Sequence, residues 1–293
     1  MARRWWLIGV MAEGHVKRIF EGRLTTDGAG VRLRRVFSNN TVALFDPFLL
    51  LDNFGSDDSD DYVRGFPWHP HRGIETVTYM LEGEVEHGDS MGNSGVIRSG
   101  DIQWMTAGCG IIHQEMPKKY DGTMRGFQLW VNLPAKSKMI SPKYRGITGD
   151  QVPTLKEGRA EIKVVAGKVG GVKGPVSDLA VDVEYFDVKL AAGGSFERPA
   201  ESTTFAHVIE GSGSTAGMRV KANQCALFDE GGEVRIVTDE GIRFLFVSGK
   251  PLKEPVAWGG PIVMNTQEEL EEAFRELSEG TFIKEAKGGV AKA

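Results

Sequence analysis

Apolar and β-favouring residues fall along this chain in short runs, separated by Gly, Asp and Asn. The first set is VRLRRVF (31–37), ETVTYMLEGEVEH (75–87), GDIQWMT (100–106) and GFQLWVNLP (126–134). Runs of this length at turn-limited spacing predict many short strands folded as a sandwich or barrel. The segment PAKSKMISPKYRGITG (134–149) is polar, with scattered Pro and Gly, and predicts a connection between domains. A second strand-rich set follows: EIKVVAGKV (161–169), VDVEYFDVKL (181–190), FAHVIEG (205–211), ALFD (226–229), EVRIVT (233–238) and RFLFVSG (243–249). MLEG (80–83), followed by a stretch ending in WMTAG, is echoed by VIEG (208–211), followed by ALFDEG. The echo points to two copies of one β-fold, the second diverged, divided as residues 1–140 and 150–293. Only the tail has a helical pattern. Thr266 opens a TQEEL capping signal, and Leu270, Ala273, Phe274 and Leu277 share one face that ends at Gly280. That helix is expected to pack its apolar face on a sheet.

Composition sharpens this picture in three places. Gly supplies 38 of 293 residues, well above the usual share of about 7%, which suits a turn-rich β protein. Net charge is −5, so no basic field exists for general phosphate binding and direct nucleic-acid binding is not expected. Two cysteines, Cys109 and Cys225, exclude a disulfide framework and fit a reducing, cytoplasmic setting. The apolar run Trp5–Met11 is far shorter than the roughly 20 residues that span a bilayer, and it lacks a clear small-residue cleavage site. It reads as an N-terminal extension, and Met11 could itself begin the protein. No other stretch reaches membrane length, so no membrane partner is expected. The acidic stretch LDNFGSDDSDDYVRG (51–65) lacks the spacing of a calcium loop and reads as a solvated loop.

The chemistry concentrates in the histidines. Of six, two sit in His69-Pro70-His71 and one in His113-Gln114-Glu115. Side chains at i and i+2 of a strand point to one face. His69 and His71 therefore aim at one point, as do His113 and Glu115. If the two strands oppose each other inside a barrel, three imidazoles and a carboxylate converge. That set suits a first-row divalent metal: Fe, Ni, Cu, Mn or Zn. A six-coordinate ion would keep two positions open for water, substrate or O2. Glu75 has the strand parity of His71, so it is either a ligand in place of Glu115 or a partner behind the ligands. His15, His87 and His207 lack a spaced partner and read as structural or surface residues.

The run HPHRGIETVTYMLEG (69–83) resembles the first cupin motif, and GDIQWMTAGCGIIH (100–113) the second. Narrower wording, in FDPFLLLDNF (45–54), GFPWHPHRGIETVTYMLEG (65–83), GDIQWMTAGCGIIHQEM (100–116), GFQLWVNLP (126–134) and GKPLKEPVAWGGPIVMNTQEEL (249–270), is similar to the pirin family over nearly the whole chain. The resemblance implies an all-β bicupin, two jelly-roll barrels in tandem with a short C-terminal helix. It implies one metal per chain in the N-terminal barrel, most often iron, on His69, His71, His113 and Glu115. It also implies kinship with quercetin 2,3-dioxygenases, which open a flavonol ring with O2, and with an iron-dependent nuclear co-regulator in eukaryotes. The second half offers GGSFERPAESTTFAHVIEG (193–211) and NQCALFDEGGEV (223–234), without a His-x-His pair or a closing His, so it is expected to be metal-free.

Two functions follow from the same quartet. In the first, the protein is a dioxygenase of a flavonol or related enol, Glu115 acts as general base, and Trp68, Phe54, Met105 and Phe127 are candidate walls for a flat ring. For each of the four, ordinary barrel core is the competing reading. In the second, the protein is a metal-dependent regulator that contacts a protein partner. An apolar pocket above the metal, closed by the second domain, would favour the first; a flat charged patch would favour the second. A sugar isomerase or epimerase is a weaker third reading. Cys109 as a soft ligand competes with its place in a turn. A monomer is expected, because a bicupin buries internally the sheet surface that single cupins bury by dimerising.

Overall fold

The structure is a computed structural model, and it describes residues 14–284. The predicted strands form, with small changes at their ends. Val31–Phe37 is a strand as expected, and the 75–87 run divides at Gly83 into Ile74–Glu82 and Glu84–Asp89. Among the described residues, two sheets make the first barrel. One has seven strands in the order 143–147, 102–106, 74–82, 124–132, 48–56, 31–37, 23–27. The other has four, in the order 66–71, 111–117, 84–89, 94–98. Val31, Leu33, Phe54, Met80 and Met124 of the large sheet meet Val85 and Ile97 of the small one inside this barrel.

The second barrel is built on a ten-stranded sheet whose interior is packed with Phe186, Phe196, Phe244, Phe246, Val188 and Val208. The two barrels join along the outer faces of their sheets. On Ile74–Glu82 the odd positions Val77 and Tyr79 point into this seam, where they meet Tyr185, Phe205, Leu245 and Val247. Phe37 and Phe45 stack with centroids 3.8 Å apart, and Phe205 stands edge-on to Phe37, Phe45 and Phe48. Each such buried side chain contributes about 1.5–3 kcal/mol through its area alone.

Both ends of the described chain cross to the other half. Val16–Glu21 pairs antiparallel with Gln224–Phe228, so the first strand in sequence is an edge of the second barrel's sheet. After the second barrel, the hairpin Ala257–Gly259 and Ile262–Met264 returns to the first, where Ile262 bridges to Arg72. The stretch 134–149 is more than a connection, because Lys143–Ile147 pairs with Ile102–Thr106 as an edge strand of the first barrel. The helix Gln267–Ser278 starts where expected. Thr266 Oγ1 accepts from the Glu269 amide at 3.2 Å, and Glu269 returns a carboxylate to the Thr266 amide at 3.1 Å. Leu270 and Ala273 are buried, but Phe274 stays 41% exposed, so the apolar face is narrower than its pattern suggested.

The 51–65 stretch differs from the expected solvated loop. The strand Phe48–Ser56 takes its first half, and Asp52 is buried against Arg35, with Arg35 Nε donating at 2.9 Å and Nη2 at 2.7 Å. The run Trp5–Met11 lies outside the described residues. No helix among the described residues is long and apolar enough to cross a membrane.

Candidate metal centre

His69 and His71 lie on Phe66–His71, the edge strand of the four-stranded sheet. An edge strand tolerates the two prolines at 67 and 70, which cannot donate to a ladder. Its partner strand, Ile111–Pro117, runs antiparallel, with His113 opposite His69 and Ile111 opposite His71. Alternation along one strand and direct opposition across the pair put three imidazoles on one face. Ring centroids are 4.4 Å apart for His69 and His113, 4.9 Å for His69 and His71, and 5.0 Å for His71 and His113. One ring nitrogen from each lies within 4.8 Å of the other two.

The outer nitrogens are engaged in a way that frees the inner ones. His69 Nδ1 donates to the Pro67 carbonyl at 2.8 Å, and His71 Nδ1 to the Pro261 carbonyl at 3.0 Å. An imidazole whose Nδ1 proton is so held presents a bare Nε2. The two Nε2 atoms lie 3.1 Å apart, and His113 Nε2 is buried without a hydrogen-bond partner. Burial, with His69 nearby, pushes His71 down to about 3; burial, with His71 and His69, holds His113 well below its ordinary value. Convergent imidazoles, one of them with an orphaned buried nitrogen, fit a first-row divalent ion.

Glu115 stands outside the 4.8 Å group. A shift of register between His113 and Glu115 sets it opposite Phe66. Its Oε1 accepts from Thr78 Oγ1 at 2.7 Å and its Oε2 from Gln128 Nε2 at 3.0 Å. Burial pushes its carboxyl up from the ordinary value, while Thr78, His69 and Gln128 pull it down.

Glu75 faces away from the imidazoles. Its carboxylate accepts from Trp104 Nε1 at 2.9 Å and Thr106 Oγ1 at 2.6 Å on the seam side of the large sheet. The count of parity from His71 fails at Gly73, where φ is +78° and the chain passes from the small sheet to the large one. Glu75 is therefore neither a ligand nor a partner behind the histidines in this structure. Of the unpaired histidines, His87 is buried with Nε2 on the Tyr144 hydroxyl at 2.8 Å, and His207 is buried in the seam beside Phe127. Both are structural and neither is a surface residue; His15 is exposed. Cys109 sits buried in the turn before Gly110, and its amide donates to Ile140.

A cavity of about 660 Å³ opens over the group, lined by His69, His71 and Glu115. Phe54, Phe66, Trp68, Trp130 and Trp258 supply its aromatic walls, and Asp27, Arg35 and Asp52 a polar rim. Trp130 stands edge-on to His71 at 5.1 Å. Of the four expected walls, Phe54 and Trp68 line the cavity, whereas Met105 and Phe127 belong to packed core. The second half closes the cavity, but with Trp258, Gly260 and Pro261 from its returning tail and not with its barrel. Thr78, Gln128, Trp130 and Trp258 were not singled out by sequence reasoning. The lone Gln in GFQLWVNLP was the one local signal, a polar residue amid apolar neighbours on a central strand.

Two β-barrels in tandem, one of them with three converging imidazoles under an aromatic cavity, define a bicupin. The pirin family model matches residues 30–131, and the model of the pirin C-terminal cupin domain matches residues 185–283. A pirin-like protein of Caulobacter vibrioides is 46% identical, covering 91% of this chain and 98% of that one. Pirin-1 of Arabidopsis thaliana is 39% identical, over 88% and 91%. The crystal structure of a quercetin 2,3-dioxygenase from Acinetobacter baumannii superposes with a TM-score of 0.85 at 34% identity, over 92% of this chain and 99% of that one. The chain belongs to the pirin family.

Proposed function

We propose that the protein is a metal-dependent dioxygenase that opens quercetin or a related flavonol or enol with O2, releasing CO. The observation that carries this reading is the aromatic-walled cavity onto which His69 and His71, two of the three convergent imidazoles, open. A concave site with aromatic walls and convergent polar groups is built for a flat small molecule, whereas a partner-binding switch calls for a surface patch. The likeness to the Acinetobacter baumannii enzyme supports the same substrate class.

His69, His71 and His113 would hold one divalent ion, with Glu115 as the fourth ligand or as a base beside it. Iron is the first choice, and the same donors suit nickel, copper, manganese or zinc. When bound, the ion supplies Lewis acidity at an enol oxygen and a redox centre for O2. The chain does the rest. Trp130 and Trp258 flank the ring, Thr78 and Gln128 aim the Glu115 carboxylate, and that carboxylate takes the enol proton. A carboxyl raised by burial is a stronger base than one in water, and fixed hydrogen bonds keep it oriented. The first half would carry the metal. The second, with phenylalanines filling its barrel, would serve packing and closure. The two free cysteines accord with a reducing, cytoplasmic setting, and the sheet surface buried between the two barrels with a monomer.

Elemental analysis paired with an aerobic quercetin assay tests this. Purified protein should hold one first-row metal per chain and bleach the flavonol band, and His113→Ala should lose both. If that variant loses its metal yet keeps turnover, the mechanism is wrong.

A further inference from the structure

The strand that carries His69 and His71 ends against the last part of the chain. Arg72 is only 1% exposed. Its Nη2 donates to the Phe282 carbonyl at 2.9 Å and pairs with Glu276 at 2.7 Å, and its guanidinium lies 4.2 Å over the Phe282 ring. The backbone is gripped as well. The Val263 amide donates to the Arg72 carbonyl at 3.1 Å, and Ile262 bridges to Arg72. One residue earlier, the Pro261 carbonyl holds His71 Nδ1. Three consecutive residues of the returning tail thus fasten two consecutive residues of the histidine strand. Gly73 completes the fit, because a Cβ there would come within 1.9 Å of the Val263 carbonyl oxygen.

These contacts have chemical content. The tail supplies the carbonyl that fixes the His71 tautomer, and so decides whether Nε2 is available as a donor. A buried guanidinium needs its carboxylate; without Glu276 the charge would be left uncompensated and the segment would loosen. We propose that docking of the C-terminal segment and filling of the three-histidine centre are coupled, with Arg72 as the positioning residue that joins them. The coupling rests on the metal reading of that centre. It is reciprocal: an ion that fixes the His71 ring strengthens the hold on Pro261, and a docked tail raises affinity for the ion.

Zn²⁺ is a suitable probe because it has no redox chemistry. Affinity would be measured by chelator competition for the full chain, for Glu276→Gln and for Arg72→Lys, none of which adds or removes a ligand. Both variants should bind Zn²⁺ about 10–100-fold more weakly, the range typical of groups behind the ligands. In the unsubstituted protein, Zn²⁺ should slow amide hydrogen exchange across 257–282, the Val263 amide included. This readout needs no variant and would not respond to a purely architectural role. Wild-type protein that binds Zn²⁺ without protecting the tail, or variants that lose thermal stability but keep full affinity, overturn the coupling and leave the metal reading standing. Wild-type protein that takes up neither Zn²⁺ nor any other first-row ion overturns both.

Discussion

Tyr79 of the first barrel donates its hydroxyl to Asp187 of the second at 2.7 Å, in the middle of the seam between them. Arg243 closes on the same carboxylate, from Nε at 3.0 Å and from Nη2 at 2.7 Å. Burial, with Asp187 alongside, holds the Tyr79 hydroxyl protonated well above its ordinary range, so it remains a donor. Tyr79→Phe removes one bond and leaves Asp187 paired; the expected cost is about 1–2 kcal/mol. Arg243→Met strands a buried carboxylate and should cost more, about 3–5 kcal/mol. Urea unfolding of the two variants checks the order, and equal losses would contradict it.

Thr78 and Gln128 each give Glu115 one hydrogen bond and touch none of the three imidazoles' ring nitrogens. Thr78→Val and Gln128→Leu should therefore leave bound metal unchanged while lowering flavonol turnover by about 10–100-fold. Steady-state kinetics with metal content measured on the same samples decides this. A fall in metal that matches the fall in rate would assign the pair to ion retention and not to orienting a base.

His207 gives the fold a specific acid sensitivity. It is fully buried, neither ring nitrogen has a partner, and burial, with Arg34 nearby, pushes it down to about 3. In the unfolded chain it titrates near about 6.5. Between those values the unfolded state binds the extra proton, so stability falls as pH drops through that window. From pH 7 to pH 5 the loss from this residue is about 2 kcal/mol. His71 and His113 are displaced in the same direction, so the measurement is the difference between wild type and His207→Leu. Denaturant midpoints of the variant should depend less steeply on pH. Parallel curves would show that His207 does not titrate on unfolding.

Lys138 is buried, and its ammonium donates to the Gly73 carbonyl at 2.9 Å, Asn132 Oδ1 at 2.6 Å and the Val263 carbonyl at 2.8 Å. Lys138→Met keeps the length of the side chain and takes a donor from three acceptors, of which the Gly73 carbonyl keeps the Leu133 amide at 3.2 Å. A loss of about 2–4 kcal/mol is expected in chemical denaturation. A loss below half a kcal/mol would mean that water replaces the ammonium there.

The histidine trio was legible because strand alternation is local: His-Pro-His needs only its own pleat to present both rings, and His113 lies directly across the pair. The helix cap at Thr266 was legible for the same reason. Glu75 was misread because alternation holds only within one strand, and Gly73 passes the chain to another sheet between His71 and Glu75. The cavity walls were half legible. Phe54 and Trp68 lie near the motifs, but Trp258 enters from the tail, and nothing in its neighbours' pattern encodes so distant a contact. The pairing of Val16–Glu21 with Gln224–Phe228 was hidden likewise, since a single edge strand carries no mark of the sheet that it will join.

The hydrogen bond between His71 and Pro261 spans 190 positions of sequence. Translation therefore delivers the imidazoles long before the carbonyl that sets one of them, and the opening strand Val16–Glu21 must wait for Gln224–Phe228. Neither barrel is whole while its partner is still being synthesised. Expressing either half from a split gene would yield a fragment that lacks a piece held by the other.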